Sequence, residues 1–112
     1  VKRGQSDKLV EEDLRLAFEK LGPKIELLDT RAMALMENRQ FDEAVLDLQQ
    51  ATLFHPRTGR YHFHLALAHQ GRDDQSSARE ALDLAQSIGL LPEHLNPDEN
   101  SKYESLQAWL KN

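Results

Sequence analysis

The sequence predicts an all-α fold: a short α-solenoid of antiparallel helix pairs, about six helices, finished by a C-terminal capping helix. Three observations carry this. A pattern of large and small residues returns after a constant offset of thirty-four: Leu28, Ala32, Leu35, Ala44, Leu48, Ala51 and Pro56 are followed by His62, Ala66, His69, Ala78, Leu82, Ala85 and Leu90. A period of that length marks stacked helix–turn–helix units. Aromatic residues make up only 6% of the 112-residue chain, and strand-type alternation of β-branched residues is nearly absent. Glycines and prolines also fall between the apolar stripes, where helices stop.

The first expected helix runs from about Asp7 to Leu21, with Ser6 as its cap and Val10, Leu14, Ala17, Phe18 and Leu21 as its stripe. Gly22-Pro23 ends it, Gly suiting a left-handed C′ position and Pro opening the next helix. The second, about Lys24 to Asn38, carries Leu28, Ala32, Leu35 and Met36 and turns at Asn38-Arg39-Gln40. The third, about Phe41 to Phe54, closes at Pro56, which moves His55 out of the α region.

Thr58 is the expected cap of the fourth helix, about Gly59 to Gln70, which Gly71 ends. Asp73 or Asp74 caps the fifth, about Gln75 to Ile88, and Gly89 ends it. Asn96-Pro97-Asp98-Glu99 then reads as an N-cap, a Pro at N1 and a Glu at N3 that reaches back. The sixth helix extends to about Leu110, with Tyr103, Leu106, Trp109 and Leu110 on its apolar side.

Composition narrows the function classes. Hydrophobic residues are 39%, charged residues 29%, and the formal net charge is −5. Acidic and basic residues are mixed, so no basic stripe exists to neutralise phosphates, and nucleic acid is not an expected partner. The absence of cysteine excludes disulfides and thiolate metal sites. No apolar run approaches the roughly 20 residues that cross a bilayer, so membrane insertion is not expected. The chain opens on Val1 and on a half-repeat, which is compatible with the detached end of a longer protein. Localisation stays open.

Residues 25–58 resemble a repeat of the tetratricopeptide (TPR) family. Leu28, Ala32 and Leu35 sit on helix A, Ala44, Leu48 and Ala51 on helix B, and Pro56 closes the unit. Arg31 departs, standing where an aliphatic residue is usual. Residues 59–92 match at Leu65, Ala66, Ala78, Leu82 and Ala85. There His62 and His69 hold the two large positions, and Leu90 replaces the closing proline. The resemblance implies one TPR-like domain over residues 1–112: a half-repeat helix at 1–22, repeats at 25–58 and 59–92, and a capping helix at 96–111. Small residues at Ala32, Ala44, Ala66 and Ala78 let helices approach closely, and each pair must stack to bury its apolar face.

The resemblance further implies a concave side lined by the A helices. Its outward positions are Glu26, Asp29, Met33, Met36 and Glu37, then Arg60, Phe63, Leu67, Gln70 and Gly71. Asp29, Met33, Met36, Arg60, Phe63, Leu67 and Gln70 are the expected partner-binding residues. Met33, Met36, Phe63 and Leu67 would form an apolar stripe suited to a peptide or helix. The alternative is a stripe covered by the first or last helix.

Some family members grip a C-terminal carboxylate. The corresponding positions here hold Asp29, Thr30, Met33, Arg60 and His64, and only Arg60 suits an anion.

His55, His62, His64 and His69 fall within fifteen residues. None forms the i, i+4 pair favoured by metals on a helix, and His62 and His69 read as packed, hydrogen-bonded core residues. Asp73, Asp74, Ser76 and Ser77 are explained by an N-cap and a first turn. Neither a catalytic site, a metal site nor a cofactor is expected. The expected function is a non-catalytic protein–protein interaction module. The alternative is a structural module that self-associates through an uncovered terminal helix face into a homodimer or longer array.

Overall fold

The computed structural model of the chain describes residues 25–112, and the expected first helix lies outside them. Among the described residues the structure is all-α, with α1 Ile25–Glu37, α2 Phe41–Phe54, α3 Gly59–Gly71, α4 Gln75–Ile88 and α5 Pro97–Leu110. A 3₁₀ turn, Pro92–His94, precedes α5. Each helix packs on its sequence neighbour from α1 to α4, and α3 also meets α1 and α5 directly. No helix of the described residues is long and apolar enough to cross a membrane.

The boundaries of α1 and α3 differ by thirty-four residues at both ends, as do those of α2 and α4. The turns within the two pairs repeat as well. Arg39 has φ 60° and Asp73 φ 59°, left-handed conformations that a short polar-tipped turn tolerates. The Gln40 N–H donates to Leu35 O at 2.8 Å, and the Asp74 N–H donates to His69 O at 2.9 Å. One bond therefore closes each turn from the last large residue of the preceding helix.

Side-chain N-caps form at α4 and α5, whereas Gln40 before α2 forms none. The Asp74 side chain accepts from the Ser77 N–H at 3.2 Å, whereas Asp73 takes the left-handed turn and caps nothing. Gly89, at φ 114°, ends α4, and the Leu90 N–H returns to Ala85 O at 3.0 Å. This is the left-handed C-cap that glycine adopts without steric cost. At α5 the capping box forms in both directions: Asn96 Oδ1 accepts from the Glu99 N–H at 2.8 Å, and Glu99 Oε1 accepts from the Asn96 N–H at 3.2 Å. Two expected punctuation marks change. Thr58 precedes α3 without a side-chain cap. Gly71 stays helical, because the chain reverses two residues later at Asp73.

Ala32, Ala44, Ala66 and Ala78 are all fully buried, as close helix approach requires. The largest core cluster joins Phe63, Leu82, Leu95, Tyr103, Leu106 and Leu110 from α3, α4, α5 and the loop between the last two. Phe63 and Tyr103 meet edge-to-face with centroids 5.6 Å apart, and the Tyr103 hydroxyl accepts from Gln86 Nε2 at 2.8 Å. Leu106 and Leu110 are buried and Trp109 leans on the same cluster, so the apolar side of α5 is a docking seam. A second cluster, centred on Leu35, Val45 and Leu48, holds α1 and α2 to Ala68 of α3.

Arg31 finds its reason here. Its guanidinium donates to both oxygens of Asp47 on α2, at 2.7 and 2.5 Å. Asp47 is nearly buried at 4% exposure, and a bidentate pair satisfies it where an aliphatic side chain could not.

Candidate functional site

Because α1, α3 and α5 lie side by side, one face of the molecule presents side chains from three helices. Its floor is apolar. Met33 and Met36 come from α1, Phe41 from the start of α2 and Leu67 from α3, and together they line a cleft of about 370 Å³. Gln70 and Glu37 stand at its edge, and Ser101, Lys102 and Ser105 of α5 form the opposite wall. The last helix therefore walls the cleft without filling it. Lys102 is held by Asp98 at 3.3 Å, one turn earlier on α5.

Helical spacing explains the floor. Met33 and Met36 are three residues apart and share a face of α1, and Leu67 and Gln70 share the matching face of α3. Each is only half-buried, which leaves apolar surface available to a ligand. Methionine adapts to the shape of what it meets.

Toward the N-terminal ends of α1 and α3 the same face becomes polar and closed. The buried imidazole of His64 bridges two carboxylates, Nδ1 to Asp29 Oδ1 at 2.7 Å and Nε2 to Glu99 Oε2 at 3.1 Å. Asp29 belongs to α1 and Glu99 to α5, so one ring joins all three helices. Both bonds form with carboxylates as acceptors when each ring nitrogen carries hydrogen. Arg60 adds a side-on pair to Glu99: Nε lies 3.1 Å from Oε2, and Nη2 lies 3.2 Å from Oε1. Arg60 Nη2 also donates to the His94 carbonyl at 3.0 Å.

Burial on its own would raise the pKa of Glu99. The N–H of Asn96, then His64 and then Arg60 outweigh it and hold this carboxyl below its usual 4.5. With both ring nitrogens engaged and the ring buried, His64 has no nitrogen free to act on a substrate.

Of the seven expected contact residues, the structure brings Met33, Met36, Leu67 and Gln70 to one cleft. Arg60 stands apart, exposed and tied to Glu99. Asp29 is mostly covered and bound to His64. Phe63 is a correction: at 0% exposure it lies in the core against Tyr103 and does not line the cleft. Its neighbour His64 turns toward Asp29, and the hydrophobic ring takes the inward direction.

His62 and His69 are also buried, as the repeat spacing suggests. His62 Nε2 donates to Pro56 O at 2.9 Å. The Nδ1 atoms of His62 and His69 are buried with no hydrogen-bond partner among the described residues, so His69 departs from the expected hydrogen-bonded form. Burial lowers the His69 pKa below 6.5; Arg72 adds to this, and Asp74 and Glu80 oppose it. No group of three His, Cys, Asp or Glu side chains among the described residues is arranged to hold a metal ion.

Sequence reasoning missed Phe41, Ser101, Lys102 and Ser105 as walls of the cleft and Glu99 as a partner of His64. Phe41 carried no groove signal because it opens a B helix. The α5 residues lacked one because that helix departs from the repeat pattern. Asp29, His64 and Glu99 do stand thirty-five residues apart in turn, and that regular spacing of titratable residues is a signal a search by offset could have found.

Comparison with protein-family models, curated proteins and solved structures returned no match.

Proposed function

We propose that this chain is a non-catalytic interaction module, a TPR-like array that holds an apolar-anchored peptide or helix of a partner protein between α1, α3 and α5. The observation that carries this reading is the cleft floored by Met33, Met36, Phe41 and Leu67. Exposed apolar surface bounded by polar side chains favours a macromolecular contact. The matched boundaries of the two helix pairs support the array reading.

Selection of a random peptide display library on the immobilised chain tests it. Enriched peptides should carry apolar residues at helical or alternating spacing. Their binding should be lost in a Met33→Glu, Leu67→Glu double variant that keeps its helical circular dichroism. Failure to enrich any sequence, or binding indifferent to the double variant, rejects the cleft.

Self-association is the second reading, favoured by a different surface. Leu46, Leu53 and Phe54 of α2 are 63%, 76% and 56% exposed. Sedimentation velocity over a hundredfold concentration range decides it, since a monomer throughout removes this reading.

A further inference from the structure

A second cleft, of about 270 Å³, lies where the α2–α3 loop, the start of α3, the end of α4 and the 3₁₀ turn meet. Its polar side chains are Arg57, Arg60 and His94, and among the described residues no carboxylate lines it. The chain as a whole carries −5, whereas the side chains that line this cleft are basic or apolar. Three separate elements supply the three basic groups, which a single solvated charge run would not do.

We propose that this cleft binds a phosphate monoester group. The donors are ready for an oxyanion. Arg60 spends Nε and Nη2 on Glu99 and the His94 carbonyl, which fixes the guanidinium plane and leaves the two hydrogens of Nη1 undonated. His94 Nδ1 accepts from the Leu91 N–H at 3.3 Å. The hydrogen of the neutral ring then sits on Nε2, so that nitrogen donates in either charge state. Arg57 is exposed and has no hydrogen-bond or ion-pair partner among the described residues.

Gly59 and Gly89 also line the cleft, and at Gly89 nothing lies within 4 Å of the position a Cβ would take. The Thr58 side chain does not cap α3, and the Tyr61 N–H is taken by Thr58 O at 3.1 Å, so the N–H groups of Gly59 and Arg60 add to the donors. Donors outnumber what one planar carboxylate accepts, and the three acceptor oxygens of a phosphoryl group suit them better. The phosphoryl group could belong to a free metabolite or to a phosphorylated segment of another protein.

Two-dimensional NMR of the full chain, titrated at constant ionic strength, tests the proposal. The probes are O-phosphoserine, a short phosphoserine peptide, serine and sodium chloride. Saturable shifts are expected at the Gly59 and Arg60 amides and the His94 ring with both phosphorylated probes, and none with serine or chloride. Tighter binding of the peptide assigns a protein source, and equal binding assigns a small metabolite.

Arg57→Ala and His94→Ala should each weaken binding about tenfold, the worth of one charge-assisted hydrogen bond. Arg60 is left intact because it also holds Glu99. Shifts that grow linearly without saturation, match those from chloride or persist unchanged in both variants overturn the proposal. If His94→Ala disturbs the turn, Arg57→Glu makes the same distinction from an exposed loop position.

Discussion

Arg31 and Asp47 form a two-bond clamp between α1 and α2, with donor–acceptor distances of 2.7 and 2.5 Å. The acid is nearly buried and the guanidinium mostly covered, so the pair has a cost of desolvation as well as an attraction. Breaking one side of such a pair is worse than removing both.

Asp47→Ala should therefore destabilise the fold by about 3 kcal/mol, and Arg31→Leu with Asp47→Leu together by much less, on the order of 1 kcal/mol. Urea denaturation of the single and double variants measures both. A double variant that costs as much as the single one would show the clamp to be irreplaceable by apolar packing.

His64→Ala should cost about 3 kcal/mol, because it strands Asp29 and Glu99 at a poorly solvated place where each loses a partner. The loss should be smaller when Asp29 and Glu99 are also changed to Asn and Gln, which need no positive partner. Thermal unfolding followed by circular dichroism reads the difference. Equal losses in both backgrounds would mean that the ring acts only by filling space.

Gly71 sits so close to the Phe41 ring that an added Cβ would overlap ring carbons. Gly71→Ala should lower stability by about 1–3 kcal/mol, the usual cost of overpacking, despite alanine's better helix propensity. A Phe41→Leu change in the same chain should recover part of it, which the melting temperature reports. A stabilised Gly71→Ala variant would contradict the contact.

The pH dependence follows from His69. Burial holds its folded pKa below 6.5, so only well above 6.5 is the ring neutral in both states and its contribution complete. As pH falls below that value the unfolded chain takes up the proton first, and stability declines until the lower folded pKa is reached. Urea midpoints should drop between about pH 7.5 and about pH 5.5, and drop less in His69→Leu. Glu99 acts in a lower window. Its folded pKa lies below 4.5, so its contribution is present above the unfolded value and is lost as pH falls through the folded one. A flat wild-type response near neutrality would show that the His69 ring is hydrated.

Much of the helical layout was legible in the residues. The bounds of α2 and α4 match the pattern because Phe41 and Gln75 follow turn residues, and Phe54 and Ile88 precede Pro56 and Gly89. Side-chain partners were less legible. Arg31 stood out as a departure, but nothing local indicates that Asp47, sixteen residues on, would face it. Phe63 was misplaced for a similar reason. Spacing identifies neighbouring directions on a helix, and the choice between Phe63 and His64 for the core depended on Tyr103, Asp29 and Glu99 arriving from other helices.

The His64 bridge has a further consequence for how the chain comes apart. Asp29 and Glu99 lie thirty-five residues away on either side of the ring, so detaching the C-terminal helix exposes a polar group that α1 also relies on. Fraying from that end is thereby discouraged. Amide protons of α1, α3 and α5 should exchange with deuterium as a single cooperative unit.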